Sequence, residues 1–162
     1  MAKVVKKKKT VAGKPKAHKG SIVQKTEMVT LSKLNKYHKN PNIGDPEKTA
    51  ESLSRNGQFR SIVVNKGTHT GRDNEILAGN HTYMGAKKLG WSKIQVDWVD
   101  VDEDHARSIV LADNGSRDGS KYDDSILTEL LSEHKENTGT LVGTTLTDDM
   151  LAGLLKSTET DA

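Results

Sequence analysis

The sequence predicts an α+β fold: a small mixed β-sheet with flanking helices, followed by C-terminal helices. Two observations carry this. Short alternating or β-branched runs recur at 28–34, 62–64, 75–78 and 94–101. Between and after them lie segments with helix-start and helix-stop residues. The resulting order through residue 134 is β, α, β, β, α, β, α, α, which mixes single helices with runs of strands.

Each element has a local reason. Met28 to Leu34 alternates and reads as a short strand. Asn40-Pro41 biases the chain away from helix, so residues 36–41 read as a loop. Asp45-Pro46 is a helix start, with Asp as N-cap and Pro at the first helical position. The helix runs to Asn56 with Ala50 and Leu53 on one face, and Gly57 ends it. Ile62-Val63-Val64 is a strand, residues 66–74 a hairpin loop, and Glu75 to Ala78 the returning strand. Gly79 ends that strand, Asn80 can cap the helix beginning near His81, and Gly90 closes it. A strand follows over 94–101. The next helix runs from 102–104 to Leu111 and is broken at Asn114-Gly115. Residues 124–134 form an amphipathic helix, and 148–156 a short last one.

Charge divides the chain. Residues 1–26 carry nine lysines and no acid, residues 27–100 are +3, and residues 101–162 are −9. The basic character is therefore a property of the first segment, and the body from residue 27 onward is acidic. The segment 1–26 has no apolar periodicity and is expected to be disordered. Lys6, Lys7, Lys8 and Lys9 would make it a nonspecific nucleic-acid arm through counterion release. A solubilising tail or a cloning remnant has the same composition. Three segments result: the tail 1–26, a domain 27–135, and a linker with a short helix, 136–162. The absence of cysteine removes disulfides, thiolate metal sites and cysteine nucleophiles, and suits a cytoplasmic protein. No apolar run approaches the roughly 18 residues of a membrane span.

The stretch from Ile76 to Gly90 carries the chemistry. A strand ends at a glycine and a helix begins at once, so backbone N–H groups and the positive end of the helix dipole point at one spot. Gly79 permits close approach, and Asn80, His81 and Thr82 add polar groups, which together make an anion site. The competing reading is a plain capped helix. Glu47 and Glu51 lie four apart on one helix face; they could serve a metal or a base, or form a solvated face.

Four blocks in order resemble the ParB N-terminal domain, of the ParB/sulfiredoxin-like superfamily. Asn40-Pro41 stands where that family has its Asn-Pro box. Asn56-Gly57-Gln58-Phe59-Arg60-Ser61 followed by Ile-Val-Val mirrors its helix, Gln-Pro and strand. Gly79-Asn-His-Thr-Tyr-Met-Gly-Ala stands for its Gly-Glu-Arg-Arg-Tyr-Arg-Ala-Ala, and Asp113-Asn-Gly-Ser-Arg117 for its Glu-Asn-Leu-Gln-Arg. The resemblance implies nucleotide phosphate at Gly79, Asn80, His81 and Thr82, with Asn114 and Arg117 assisting; Arg60, by its own chemistry, could reach the same anion or form a surface ion pair. It further implies Mg²⁺ at Asp113, bound with a nucleotide such as CTP, ATP or ADP.

The departures are specific. His81, Thr82 and Met84 replace three arginines, and neither His nor Thr reproduces the bidentate grip of a guanidinium. The sulfiredoxin chemistry needs a cysteine and is excluded. No helix-turn-helix reader follows residue 135. Gly79-Asn-His81 looks closest to branches with a histidine in this loop, among them phage-like proteins. Three functions follow from the resemblance. The first is a DNA-associated protein, a nuclease or DNA-handling accessory. The second is a nucleotide-dependent phosphotransferase or NTPase, with His81 and Glu47 as catalytic candidates. The third is a catalytically silent interaction module.

Overall fold

The computed structural model describes residues 17–40, 44–118 and 122–160, with the backbone alone for 115–118. Strands β1 (Lys25–Thr30), β2 (Ile62–Asn65), β3 (Glu75–Ala78) and β4 (Lys93–Val99) form one sheet in the order β1-β4-β2-β3. β2 runs parallel to β4, whereas β1–β4 and β2–β3 are antiparallel, so the sheet is mixed. The helices are α1 (Pro46–Asn56), α2 (Asn80–Lys88), α3 (Glu103–Asp118), α4 (Asp124–Thr138) and α5 (Asp148–Thr160).

Strand periodicity sorts the apolar side chains onto two faces. Ile62, Val64, Ile76, Ile94 and Val96 face α1 and α2 and pack with Leu53, Tyr83 and Ala86. Leu77 and Val99 face the other way, against Ala106 and Val110 of α3 and against Tyr37. Trp91 and Trp98 pack half-buried on the first core, and Trp98 Nε1 donates to Glu27 Oε1 at 2.9 Å. A third cluster of Leu131, Leu141 and Leu151 joins α4 to α5.

The helix signals act as expected at α1 and α4. Asp45 Oδ1 accepts the Glu47 N–H at 3.0 Å, Pro46 leads α1, and Gly57 follows its last residue. Asp123 Oδ1 accepts the Ile126 N–H at 3.1 Å at the start of α4.

Several local expectations need correction. The segment expected as a strand over 28–34 divides at Thr30, because Leu31–Lys33 is a 3₁₀ turn. At three residues per turn, Leu31 and Leu34 both reach the core, which an alternating strand would not allow. β1 also begins at Lys25, and Ile22 already packs against the second core, so ordered chain starts inside the segment expected to be a tail. Asn114-Gly115 does not break α3. Asn114 Nδ2 donates to Val110 O at 2.9 Å, a bond back along the helix, and one glycine costs only about 1 kcal/mol. α5 extends to Thr160, beyond the expected 156.

Two side-chain amides extend the β2–β4 ladder. Gln58 Nε2 donates to Gln95 O at 3.0 Å and Gln58 Oε1 accepts the Gln95 N–H at 2.7 Å. At the other end buried Asn65 donates to Val101 O at 3.2 Å and accepts the Val101 N–H at 2.9 Å. The first pair pins the loop that carries Phe59 and Arg60. The second fixes the entry into α3.

Candidate functional site

The β3–α2 join is built around Gly79. It is the N-cap of α2, in the left-handed conformation at φ +98°, and it has no side chain with which to cap the helix. A Cβ at this position would lie 2.4 Å from Ile62 Cγ2. The first intrahelical bond of α2 runs from Tyr83 N–H to Gly79 O at 3.0 Å, so residues 80–82 precede the ladder.

Asn80 does not cap α2. Its side chain is turned into the core, where Oδ1 accepts the Tyr37 N–H and Nδ2 donates to Ile76 O, both at 3.3 Å. Buried backbone groups require such partners, and that demand outweighs a cap at an exposed helix end.

In front of Gly79 lies a groove of about 550 Å³. Gly79, His81 and Thr82 form one wall, and Arg60 and Phe59 come from the loop pinned by Gln58. Asp45, Lys48 and Thr49 come from the first turns of α1, and Asp113 comes from α3. Five of the residues selected from sequence, Gly79, His81, Thr82, Arg60 and Asp113, therefore meet in one cavity. Two helix N-termini, those of α1 and α2, open onto it. Among the described residues the groove carries two cations, Lys48 and Arg60, and two carboxylates, Asp45 and Asp113.

Behind it, a cleft of about 10 Å³, about the size of a single water, is lined by Asn40, Asn80, Asp113 and Asn114 among others. His81, Gly79 and Asp113 border both spaces. His81 Nε2 accepts the Gly44 N–H at 3.0 Å. An imidazole nitrogen accepts only when it carries no proton, so this geometry places the ring proton on Nδ1.

The remaining candidates fall elsewhere. Glu47 does not line the groove; its Oε1 takes Lys88 Nζ at 2.7 Å on the surface. Glu51 borders a different depression, beside Thr140 and Thr147. The side chain of Arg117 and residues Lys6, Lys7, Lys8 and Lys9 lie outside the described residues. Among the described residues no three His, Asp or Glu side chains gather as a metal site. No helix among them is long and apolar enough to cross a membrane.

Sequence reasoning missed Lys48, Thr49, Phe59 as a rim residue, and Gly44. Lys48 and Thr49 carried a signal, since they follow the cap of α1 by one turn. Sequence also missed a network at the far end of β3. Glu75, buried on that strand, accepts Arg72 Nε at 3.2 and 3.1 Å on its two oxygens and the His38 N–H at 3.2 Å. Arg72 Nη2 continues to Glu103 at 2.8 Å. Glu75, ahead of Glu103, pushes the Arg72 guanidinium above its ordinary value.

No protein-family model and no curated protein matches the chain. Solved structures do. The C-terminally truncated chromosome-partitioning protein ParB from Caulobacter crescentus, complexed with CTP-γ-S, superposes with a TM-score of 0.59 at 16% identity. The match covers 82% of this chain and 85% of that one. The fold is of the ParB N-terminal type. A Pnob8-like ParB-N domain gives a TM-score of 0.48 at 18% identity, covering 72% of this chain and 50% of that one. The Caulobacter protein complexed to the centromeric parS site gives 0.47 at 17%, covering 79% and 69%. At these scores the last two add nothing to the ParB-like assignment. At 16% identity the first speaks for architecture alone.

Proposed function

We propose that this ParB-like domain binds a nucleoside di- or triphosphate in the groove before Gly79 and serves a DNA-associated protein. The observation that supports it is the convergence of Gly79, His81, Thr82, Arg60 and Asp113 on one cavity faced by two helix N-termini. Helix N-termini favour phosphate through oriented N–H groups and the dipole. Arg60 and Lys48 add positive charge to a site whose family counterpart uses arginines. Phe59, 73% exposed at the rim, offers an aromatic face for a base. The solved ParB relative was complexed with CTP-γ-S, which favours a nucleotide as the phosphate source.

Mg²⁺ fits these residues. It takes one or two carboxylates and completes its shell with phosphate oxygens and water. Asp113 is the carboxylate assigned to that role, since it lines the groove from α3 where the resembling family has an acid. The ion would neutralise phosphate charge beside Asp113, and the chain's own part is to hold the phosphates between α1 and α2.

A thermal-melt series with CTP, ATP, ADP and GTP, with and without Mg²⁺, tests this reading. A ligand at a hundred times its Kd stabilises the native state by about 2.7 kcal/mol. At least one nucleotide is expected to raise the Tm, and Arg60→Ala to reduce the rise. A flat response to every nucleotide in both conditions rejects the groove as a nucleotide site.

DNA association is assigned to the lysine-rich segment. Deleting residues 1–16 removes seven lysines and leaves β1 whole. Retention on DNA at low salt is expected to fall at least tenfold, with a shallower salt dependence, since fewer counterions are released. Equal retention and equal salt slope in the two proteins would move DNA binding to the folded body.

A further inference from the structure

We propose that the Gly44 N–H is a ligand-binding group of the groove, and that His81 Nε2 occupies it until a phosphate oxygen displaces it. The proposal rests on the phosphate-groove reading above. Gly44 lies 37 residues from His81 in sequence, immediately before the α1 cap Asp45. Both residues line the groove together with Gly79 and Thr82. The N–H of Gly44 points at the imidazole from 3.0 Å. It is a main-chain donor at a helix entrance, the type of group that phosphate sites recruit.

The seat of the ring is shaped for it. A Cβ on Gly44 would fall 2.1 Å from His81 Cε1, 2.2 Å from Nε2 and 2.7 Å from Nδ1. The space taken by the imidazole excludes a side chain at 44. His81, with Gly79 and Asp113, also borders both the groove and the amide-lined cleft of Asn40, Asn80 and Asn114. A ring that leaves Gly44 therefore opens a donor and changes the border of both polar spaces.

The exchange is favourable in chemical terms. An imidazole nitrogen is a neutral acceptor, whereas a phosphate oxygen is charged, and bonds to ionised acceptors are roughly twice as strong. Among the described residues, the charged groups that line the groove with the pair are Asp45 at the cap of α1, Lys48 of α1, Arg60 before β2 and Asp113 of α3. In this arrangement His81 is an internal stand-in for the ligand. It lowers apparent affinity by the fraction of molecules in which the donor is taken.

The test uses the full chain with pyrophosphate and Mg²⁺ as the probe. Gly44→Ala keeps the N–H and denies the ring its seat. Calorimetry is expected to show pyrophosphate binding tightened by about threefold or more, as the occupied fraction disappears. Nitrogen-15 spectra of the wild-type protein give a second readout that no folding defect can blur. The Gly44 amide and the His81 ring nitrogens are expected to shift together, in proportion to the bound fraction. Saturable binding that leaves both signals unmoved overturns the proposal and leaves the phosphate groove standing. Absence of heat with both proteins removes the phosphate groove itself, and the proposal with it.

Discussion

Replacing Gly79 with alanine is expected to lower folding stability by about 2–5 kcal/mol, the sum of two separate penalties. Gly79 sits at φ +98°, where an L side chain is strained by about 1–2 kcal/mol. The new methyl would also meet Ile62 Cγ2 at 2.4 Å and Cβ at 2.8 Å, and overpacking of that kind costs about 1–3 kcal/mol. Ile62 is 1% exposed and cannot step aside without disturbing the first core. Urea unfolding measures the loss. A cost below about 1 kcal/mol would mean that the join is plastic. The double variant with Ile62→Ala is expected to recover the steric part and retain the backbone part, so the two costs should be strongly non-additive. Nucleotide-dependent stabilisation is expected to vanish in the single variant, because the wall of the groove moves with its first residue.

Glu75→Ala is the second large effect, at about 2–3 kcal/mol. The carboxylate is 4% exposed and holds Arg72 and the His38 N–H. Its removal leaves the Arg72 Nε–H and the His38 N–H without their acceptor, while Arg72 Nη2 keeps Glu103. Arg72 is about a third exposed, so water recovers part of the cost and the value falls below that of a sealed pair. The position matters for the groove as well. Asn35 pairs with Glu75 in a parallel bridge, and the chain from Asn35 leads through His38 toward Gly44. Glu75→Gln preserves shape and one acceptor, and is expected to recover about half of the loss. Equal destabilisation by Ala and Gln would assign the whole effect to charge.

Local signals in the sequence reached about as far as their physics does. The cap Asp45, the leading Pro46 and the terminal Gly57 each act within one turn of their own position, and the structure places α1 between them. The strand–glycine–helix join at Gly79 was readable for the same reason. Asn80 was misread because the local rule for a helix start competes with a demand from Tyr37, 43 positions away. Gly44 with His81 and Gln58 with Gln95 are 37 positions apart, and Asn65 with Val101 is 36 apart. No periodicity or spacing encodes such pairs; they exist once the sheet is assembled. Glu47 failed to join the groove for a related reason. A helix face tells which residues lie together, and tertiary packing decides that this face meets Lys88. The family resemblance, by contrast, spanned several blocks at once, and so pointed to the ParB-like fold where single motifs were too short to do so.

The amide clamps on β2 bear on how the chain avoids misalignment. β2 has four residues, Ile-Val-Val-Asn, and consecutive β-branched side chains pair almost equally well one step out of place. Its other neighbour offers little guidance, since the β2–β3 pairing is irregular between Val63 and Val64. A slip of β2 along β4 by one residue would exchange the side facing α1 and α2 with the side facing α3. It would also break the four hydrogen bonds made by Gln58 and Asn65 at the two ends of the strand. Asn65 would then be buried with no partner for its amide, at a cost of about 1–3 kcal/mol. Two polar residues thus supply the alignment information that the apolar run between them lacks. A chain with leucine at both positions would still contain a strand here, without a single preferred place to put it.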